Sequence, residues 1–351
     1  MKEKVLVSLS GGIDSAMTAW LLLQEGYQIT GIYFSFFKNR DKTSEVNLEL
    51  ISDTLGIPVI QYDASKLFRE KVIGYMTRMH AEGKTPSPCA RCNPEVKWKL
   101  LEKLAADYSC DYFATGHYIR LLGVGANKRI FRGEDLKKDQ SYYLWGLKTK
   151  QLDRALCPLG DYHKKKVRQI AVENGFGLLI RQKESTGMCF AGSRSYDELL
   201  KTYLDQPLPG RGEVVDRSGK TIGTHRGYVF YTIGQKKDLA LKEGSQKLCV
   251  TGIFPGENLL MADSWENLYR NEFTIGQTQF YDEDELFAGI PVQTKVRGFG
   301  LNPEGNTVFE RRGTNSFRVK LENPAWAVAP GQPAVFYSGD KLLGGGIVVG
   351  Q

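Results

Sequence analysis

At 351 residues the chain exceeds one typical domain and has room for two or three, each able to bury a core without crosslinks. Its 47 Lys and Arg against 40 Asp and Glu leave a net charge of +7, which favours a polyanionic partner such as nucleic acid and speaks about association rather than fold. No stretch reads as a membrane span, and six unevenly spaced cysteines exclude a disulfide framework; they read as reduced thiols. The start, Met1-Lys2-Glu3-Lys4, carries no apolar signal segment, so a cytoplasmic location is expected.

The apolar run Val5-Leu6-Val7 reads as a buried strand and Ala16 to Leu23 as a helix. Between them Ser10-Gly11-Gly12-Ile13-Asp14-Ser15 forms a small Gly-rich turn. Paired glycines permit positive φ and close backbone approach, and the N–H groups of a helix start face an anion there. The serine hydroxyls add donors, and Asp14 is of a type that holds magnesium beside phosphates. The turn lacks both the Lys-Ser/Thr ending of a Walker loop and the third glycine of a dinucleotide loop. Its bland alternative is a Ser/Gly turn that caps a helix.

Gly26 closes the first helix. Strands are predicted at 5–9, 28–37, 57–62 and 111–119, with amphipathic stretches between them through about Phe190, the pattern of a parallel sheet wrapped by helices. Asp161 is expected to cap a helix that runs through Lys164-Lys165-Lys166-Val167-Arg168 and ends at Gly175. Those basic residues read equally well as an exposed helical face and as phosphate contacts. After Gly210 the character changes to short glycine-broken runs, with Ser218-Gly219 at a hairpin turn, and Pro330 to Tyr337 and Gly344 to Val349 as strands of a small barrel. No internal repeat is present.

Two distant segments place cysteines among residues that favour thiol chemistry. In Thr85-Pro86-Ser87-Pro88-Cys89-Ala90-Arg91-Cys92-Asn93 the prolines stiffen the loop, and Arg91, Lys97 and Lys99 favour thiolate. In Glu184-Ser185-Thr186-Gly187-Met188-Cys189-Phe190, Gly187 supports a tight turn that presents the thiol. A buried structural cysteine is the alternative for each, and Cys110, Cys157 and Cys249, in apolar surroundings, are read that way.

Ser10 to Ser15 resembles the SGGxDS pyrophosphate loop of the ATP pyrophosphatase superfamily. With Thr85-Pro86-Ser87-Pro88 and Cys92-Asn93, Ala114-Thr115-Gly116-His117-Tyr118, Lys138-Asp139-Gln140-Ser141-Tyr142, Ser185 to Phe190 and Pro330-Gly331-Gln332, the chain resembles the tRNA-specific 2-thiouridylases over nearly its whole length. The resemblance implies an α/β protein. An N-terminal parallel-sheet domain like the adenine-nucleotide α-hydrolases (1–195) would be followed by a small β-rich central domain (196–272) and a C-terminal β-barrel (273–351). It implies that ATP, with Mg2+, adenylates the C2 oxygen of the wobble uridine, and that sulfur then replaces the activated oxygen.

By the same resemblance Cys189 carries the sulfur as a persulfide and Cys92 is the nucleophile that helps release it, leaving a disulfide. Ser8, Leu9, Ser10, Gly11, Gly12, Ile13, Asp14, Ser15, Phe34 and Gly116 would line the ATP site. Ser87, Pro88 and Cys89 would contact the target base, and His117, Lys138, Asp139, Gln140, Arg297, Gly298 and Gln332 the tRNA. The implied partners are a tRNA anticodon stem-loop, whose uridine must leave its stack, and a sulfur-donor protein or persulfide carrier; no membrane is involved. Without the motifs, His117 would read as a hydrogen-bonded histidine at a strand end, and Lys138 and its neighbours as a solvated loop.

The family carries Asn-Pro-Asp where this chain has Ser87-Pro88-Cys89. Cys89, Cys92 and Cys189 could therefore hold an iron-sulfur cluster with one open iron, and a resting Cys89–Cys92 disulfide is a further option. The segment after Phe37 is short for the family, which bears on Phe34 and the adenine pocket. Two other classes compete. An ATP-dependent ligase or amidase has no need of Cys92 and Cys189, and this sequence shows no glutaminase part. A non-catalytic, ATP-gated RNA-binding module would keep its function after Cys189→Ala.

Overall fold

The computed structural model describes residues 2–37, 42–180, 195–243 and 247–350. Cys189 and the rest of its motif lie outside them. The chain divides into two bodies, one of residues 1–71, 89–192 and 340–342, the other of 72–88, 193–339 and 343–351.

In the first body, β1 (Lys4–Leu9) is buried at every position from Val5 onward. Such a continuous apolar run marks a strand covered on both faces. It pairs in parallel with β2 (Gln28–Ser35) on one side and with β4 (Tyr112–Ala114) on the other. With β3 (Val59–Asp63) and β7 (Ala155–Leu156) the sheet order is β3-β2-β1-β4-β7, all parallel. Helix α1 (Ile13–Gln24) lays Ala16, Met17, Ala19 and Leu22 into a core shared with Val5, Val7, Leu9 and Ile29 of the sheet, Leu48 and Ile51 of α2 (Lys42–Leu55), and Val167 and Ala171 of α4 (Lys164–Glu173). Helix α3 (Trp98–Asp107) buries Trp98, Leu101 and Leu104. Gly26 ends α1 at φ +93°, as the sequence suggests.

The chain builds β1, β2 and β3 outward in one direction, then returns to the other flank of β1 at β4. The order reverses between β1 and β4, and in such sheets ligands bind beyond the carboxyl ends of the strands at that point. The Gly-rich turn follows β1, and Thr115 to Tyr118 follow β4.

Four sequence expectations are corrected. The strand expected at 28–37 stops at Ser35, and the one at 57–62 runs Val59–Asp63. The run 111–119 is two strands, because β4 ends at Ala114 and Ile119 opens β5 (Ile119–Leu122), which pairs antiparallel with β6 (Arg129–Arg132). The break falls at Gly116, where a Cβ would lie 3.2 Å from the Asp14 carbonyl group and from Thr18 Oγ1, so the chain crosses the first turn of α1 too closely to continue as a strand. Asp161 does not cap α4. It ends the short turn Pro158–Asp161, and His163 occupies the cap position without a side-chain bond. Asp135 Oδ2 accepts the Lys164 N–H instead, at 3.0 Å, so a carboxylate distant in sequence does the capping.

In the second body, β8 (Gly212–Val215), β9 (Thr221–His225), β10 (Ala240–Leu241), β11 (Cys249–Phe254) and β12 (Leu259–Asp263) form one sheet in the order β10-β9-β8-β12-β11. The β8–β9 turn holds Gly219 at φ +84°, and Asp216 accepts from the N–H groups of Ser218 and Lys220. Helix α5 (Tyr196–Tyr203) starts with a reciprocal Ser195–Glu198 capping box. Six further strands, β13 (Tyr269–Phe280), β14 (Gln293–Lys295), β15 (Thr307–Gly313), β16 (Ser316–Trp326), β17 (Pro333–Ser338) and β18 (Lys341–Gly350), run β14-β17-β18-β13-β16-β15 around Phe273, Phe309, Phe317 and Phe336. Among the described residues no helix is long and apolar enough to cross a membrane.

Candidate nucleotide and thiol site

The turn after β1 is held by its own side chains. Ser15 Oγ donates to the Gly12 carbonyl at 2.8 Å and accepts the Ser10 N–H at 3.1 Å, while Gly12 N–H reaches Ser10 Oγ at 3.4 Å. The serines thus shape the turn. Gly11 stands at φ +76°, where a Cβ would lie 3.3 Å from Ser44 Cα and carbonyl oxygen, and buried Asn47 donates to its carbonyl at 2.9 Å. Gly12 is the extended residue before α1 and has no side chain to cap it, so the helix start is left to a ligand. Ser8, Leu9 and Phe34 are buried under this end of the sheet, Phe34 with its ring edge-to-face on Tyr62 at 6.0 Å.

Asp14 is not an open carboxylate. Lys164 Nζ lies 2.6 Å from its Oδ1 and 2.7 Å from its Oδ2, and the Tyr118 hydroxyl donates to Oδ1 at 2.8 Å. Lys164 is 7% exposed, whereas Lys165 and Lys166 face solvent. Among the described residues no group of three or more His, Cys, Asp or Glu side chains is gathered as a metal site requires. A magnesium ion bound through Asp14 would first have to displace Lys164.

The turn after β4 continues this arrangement. Gln140 Oε1 accepts the Tyr118 N–H at 3.1 Å. Asp139 is buried at 3% exposure and accepts from Ser141 N–H and Oγ and from Gly133 N–H, so its carboxylate folds its own loop. His117 is buried as well; its Nδ1 is 2.8 Å from Thr115 Oγ1 and its ring lies near Trp98. Burial, followed by the charge of Lys97, holds its pKa well below the usual value, so the ring is neutral. Lys138 alone of this group carries a positive charge, and it is half-buried. These placements give His117 and Asp139 an inward, shaping task.

Cys89 and Cys92 lie on the short helix Pro88–Cys92, which runs through a wide turn, Asn93–Lys97, into α3. Three residues apart on a helix, the two thiols share a face. Cys92 is 5% exposed and Cys89 half-buried. Asn93 Nδ2 donates to the Cys89 carbonyl at 3.1 Å and the Tyr143 carbonyl at 3.2 Å, fixing the segment. Burial, with the nearby charge of Cys89, pushes the Tyr143 hydroxyl up to about 12. Cys110, Cys157 and Cys249 are raised by burial, Cys157 to about 12, in keeping with core thiols.

In the second body the Thr85 N–H donates to the Pro330 carbonyl at 2.8 Å, which sets Pro330-Gly331-Gln332 against the strand-like approach to Ser87 and Pro88. Gly331 is required there, since at φ +89° a Cβ would meet Met79 Cε at 2.7 Å and the Thr85 nitrogen at 3.2 Å. Gln332 Oε1 is buried with no hydrogen-bond partner among the described residues. Arg297 lies over the Trp326 ring at 4.7 Å and donates to the Ala327 carbonyl at 3.2 Å; Gly298 follows in the same loop.

Residues 3–193 match the tRNA methyl transferase HUP domain, 197–262 the tRNA methyl transferase PRC-barrel domain and 270–348 the aminomethyltransferase β-barrel domain. Full-length relatives specify the chemistry more closely. The chain is 35% identical to tRNA-specific 2-thiouridylase MnmA 1 of Bacteroides fragilis (strain YCH46), covering 99% of this chain and 97% of that protein. It is 34% identical to tRNA-specific 2-thiouridylase MnmA of Clostridium acetobutylicum, covering 99% and 100%, and 36% identical to that of Chlorobium luteolum, covering 99% and 97%. The chain belongs to the tRNA-specific 2-thiouridylase family.

For a 2-thiouridylase, the residues that sequence reading passed over are those that hold Asp14. In the sequence Tyr118 stands inside a motif with nothing to mark a task of its own, and Lys164 is one of three consecutive lysines. A signal was nevertheless present, because three cations in the first turn of a helix oppose its dipole and such an arrangement needs an anion nearby.

Proposed function

We propose that this 2-thiouridylase uses the Gly-rich turn to place ATP for adenylation of the C2 oxygen of a tRNA wobble uridine, and Cys92 with Cys189 to replace that oxygen by sulfur. Family membership over the full chain carries the activity: the protein is an ATP-using enzyme that 2-thiolates tRNA. The observation that best supports the finer reading is the Gly-rich turn, uncapped by any side chain, at the point where the sheet order reverses. Uridine calls for a bound phosphate at such a turn, because oxygen leaves C2 only after it is made part of a phosphate ester.

In the first step the C2 oxygen attacks the α phosphorus of ATP and pyrophosphate leaves. The Cys92 thiolate then attacks the inner sulfur of a Cys189 persulfide, releasing hydrosulfide and leaving a Cys92–Cys189 disulfide. Hydrosulfide adds to C2, AMP departs, and a thiol reductant resets the pair. A sulfur-donor protein or persulfide carrier supplies the persulfide. Magnesium is expected with ATP, but Asp14 already carries Lys164 and Tyr118, and no step here depends on the ion. Ser87, Pro88 and Cys89 are assigned to the target base, and Lys138, Gln140, Arg297, Gly298 and Gln332 to tRNA, with His117 and Asp139 shaping the contact loop. The ATP and thiol chemistry falls to residues 1–195, with 196–272 and 273–351 as the two β-rich domains, and the enzyme works in the cytoplasm.

A second delivery route is favoured by one observation, the placement of Cys89 and Cys92 three residues apart on one short helix. With Cys189 they would ligate an iron-sulfur cluster whose open iron binds hydrosulfide. Anaerobic purification with iron and sulfide analysis separates the routes. Iron that is lost on Cys89→Ser selects the cluster, and iron-free active protein selects the relay. The function itself is tested by nucleoside mass analysis of tRNA incubated with the protein, ATP, magnesium and a sulfide or persulfide donor. 2-Thiouridine is expected, and its yield should fall at least 100-fold on Cys92→Ser; unchanged uridine with both donors overturns the reading.

A further inference from the structure

The geometry points to Lys164 as the cation that receives phosphate at the Gly-rich turn, with Asp14 as its seat while no phosphate is bound. This inference rests on the reading of the turn as an ATP site and adds to it the group that meets the ligand's charge. Lys164 opens α4, 150 positions from Asp14 in sequence, yet both hydrogen-bond distances to the carboxylate are below 2.8 Å. An ammonium buried to this degree needs an anion beside it. Asp14 supplies one, from the first turn of α1, the very place where the helix start faces a ligand.

Three lysines without an acidic residue occupy the first turn of α4, against its dipole. Only the first is turned inward, onto the phosphate turn. An unaccompanied Asp14 would repel incoming phosphates, whereas the Asp14–Lys164 pair is neutral and divisible. Lysine has a flexible four-carbon stem and a compact charge, so its ammonium is able to leave the carboxylate for a phosphate oxygen a few ångströms away. The Tyr118 hydroxyl, 2.8 Å from Oδ1, remains to hold Asp14 in place. When ATP is split between its α and β phosphates, negative charge grows on the departing pyrophosphate, and a cation held at that point favours the transition state. No bond to Lys164 forms or breaks, and its proton stays on the ammonium.

The test is calorimetric titration of the full-length protein with inorganic pyrophosphate in EDTA, where no metal contributes. Lys164→Met should weaken pyrophosphate binding at least tenfold, and Lys164→Arg should restore most of it. Asp14→Asn should strengthen binding severalfold, because it removes the competing anion; a purely structural ion pair would instead give equal losses for both partners. The Asp14→Asn arm also decides the matter where Lys164→Met fails to fold. Wild-type protein whose pyrophosphate affinity is unmoved by Lys164→Met, or weakened by Asp14→Asn, overturns this assignment alone. Wild-type protein that binds no pyrophosphate overturns it together with the ATP reading.

Discussion

At Gly11 the backbone is left-handed, at φ +76°, and the space where a side chain would begin is bounded by Ser44 main-chain atoms. Gly11→Ala therefore adds strain of about 1–2 kcal/mol that a rotamer change does not relieve. The expected outcome is a lower denaturant midpoint together with at least tenfold weaker ATP binding, measured by chemical unfolding and by nucleotide titration. The need for glycine here was legible in the sequence, since strand, Gly-Gly and helix leave the chain few other ways to turn. The directions of His117, Asp139 and Lys164 were not. A motif records which residues occur together but not which way they point: His117 and Asp139 turn inward onto near neighbours, Thr115 and Ser141 with Gly133, and Lys164 onto the distant Asp14.

Among the elements, the helix Gly74–Ala81 shows how a buried histidine joins segments far apart in sequence. His80 is 3% exposed, with Nδ1 2.9 Å from the Val229 carbonyl and Nε2 3.0 Å from the Tyr196 hydroxyl of α5. Burial lowers its pKa to about 4, against the pull of the Val229 carbonyl and then Asp197. The unfolded chain protonates this ring near pH 6.5, so between that pH and about 4 the unfolded state binds the extra proton. Stability is full above pH 6.5 and falls as pH drops toward 4, by roughly 3 kcal/mol at most from this group. Unfolding free energies measured across that range should slope accordingly, and His80→Gln should flatten the slope. Element identities followed from periodicity wherever apolar runs were continuous, as in β1. They failed where a partner from outside the segment decides the boundary: Gly116 pressed on α1 divides the run 111–119, and Asp135 replaces Asp161 at the head of α4.

For the whole molecule, the change of pattern near Gly210 was visible because strand alternation replaces helical spacing. The membership of 72–88 in the second body was not, since nothing in a continuous chain marks a segment that leaves one body and returns. The loop from Asp135 to Gln140 carries the last consequence. Asp135 anchors the backbone of Lys164, Gln140 anchors the backbone of Tyr118, and the side chains of both anchored residues end on Asp14. Two mechanical links thus run from a single loop, the one bearing Lys138, to one carboxylate in the phosphate turn. If RNA is bound through this loop, the links would let it change the affinity for ATP, and linkage would then require ATP to change the affinity for RNA by the same factor. Paired titrations, of ATP with and without tRNA and of tRNA with and without ATP, should give equal factors above about threefold, and Gln140→Ala should bring both toward one. Wiring of this kind would make the enzyme a coincidence detector, slow to break ATP until the anticodon loop has arrived.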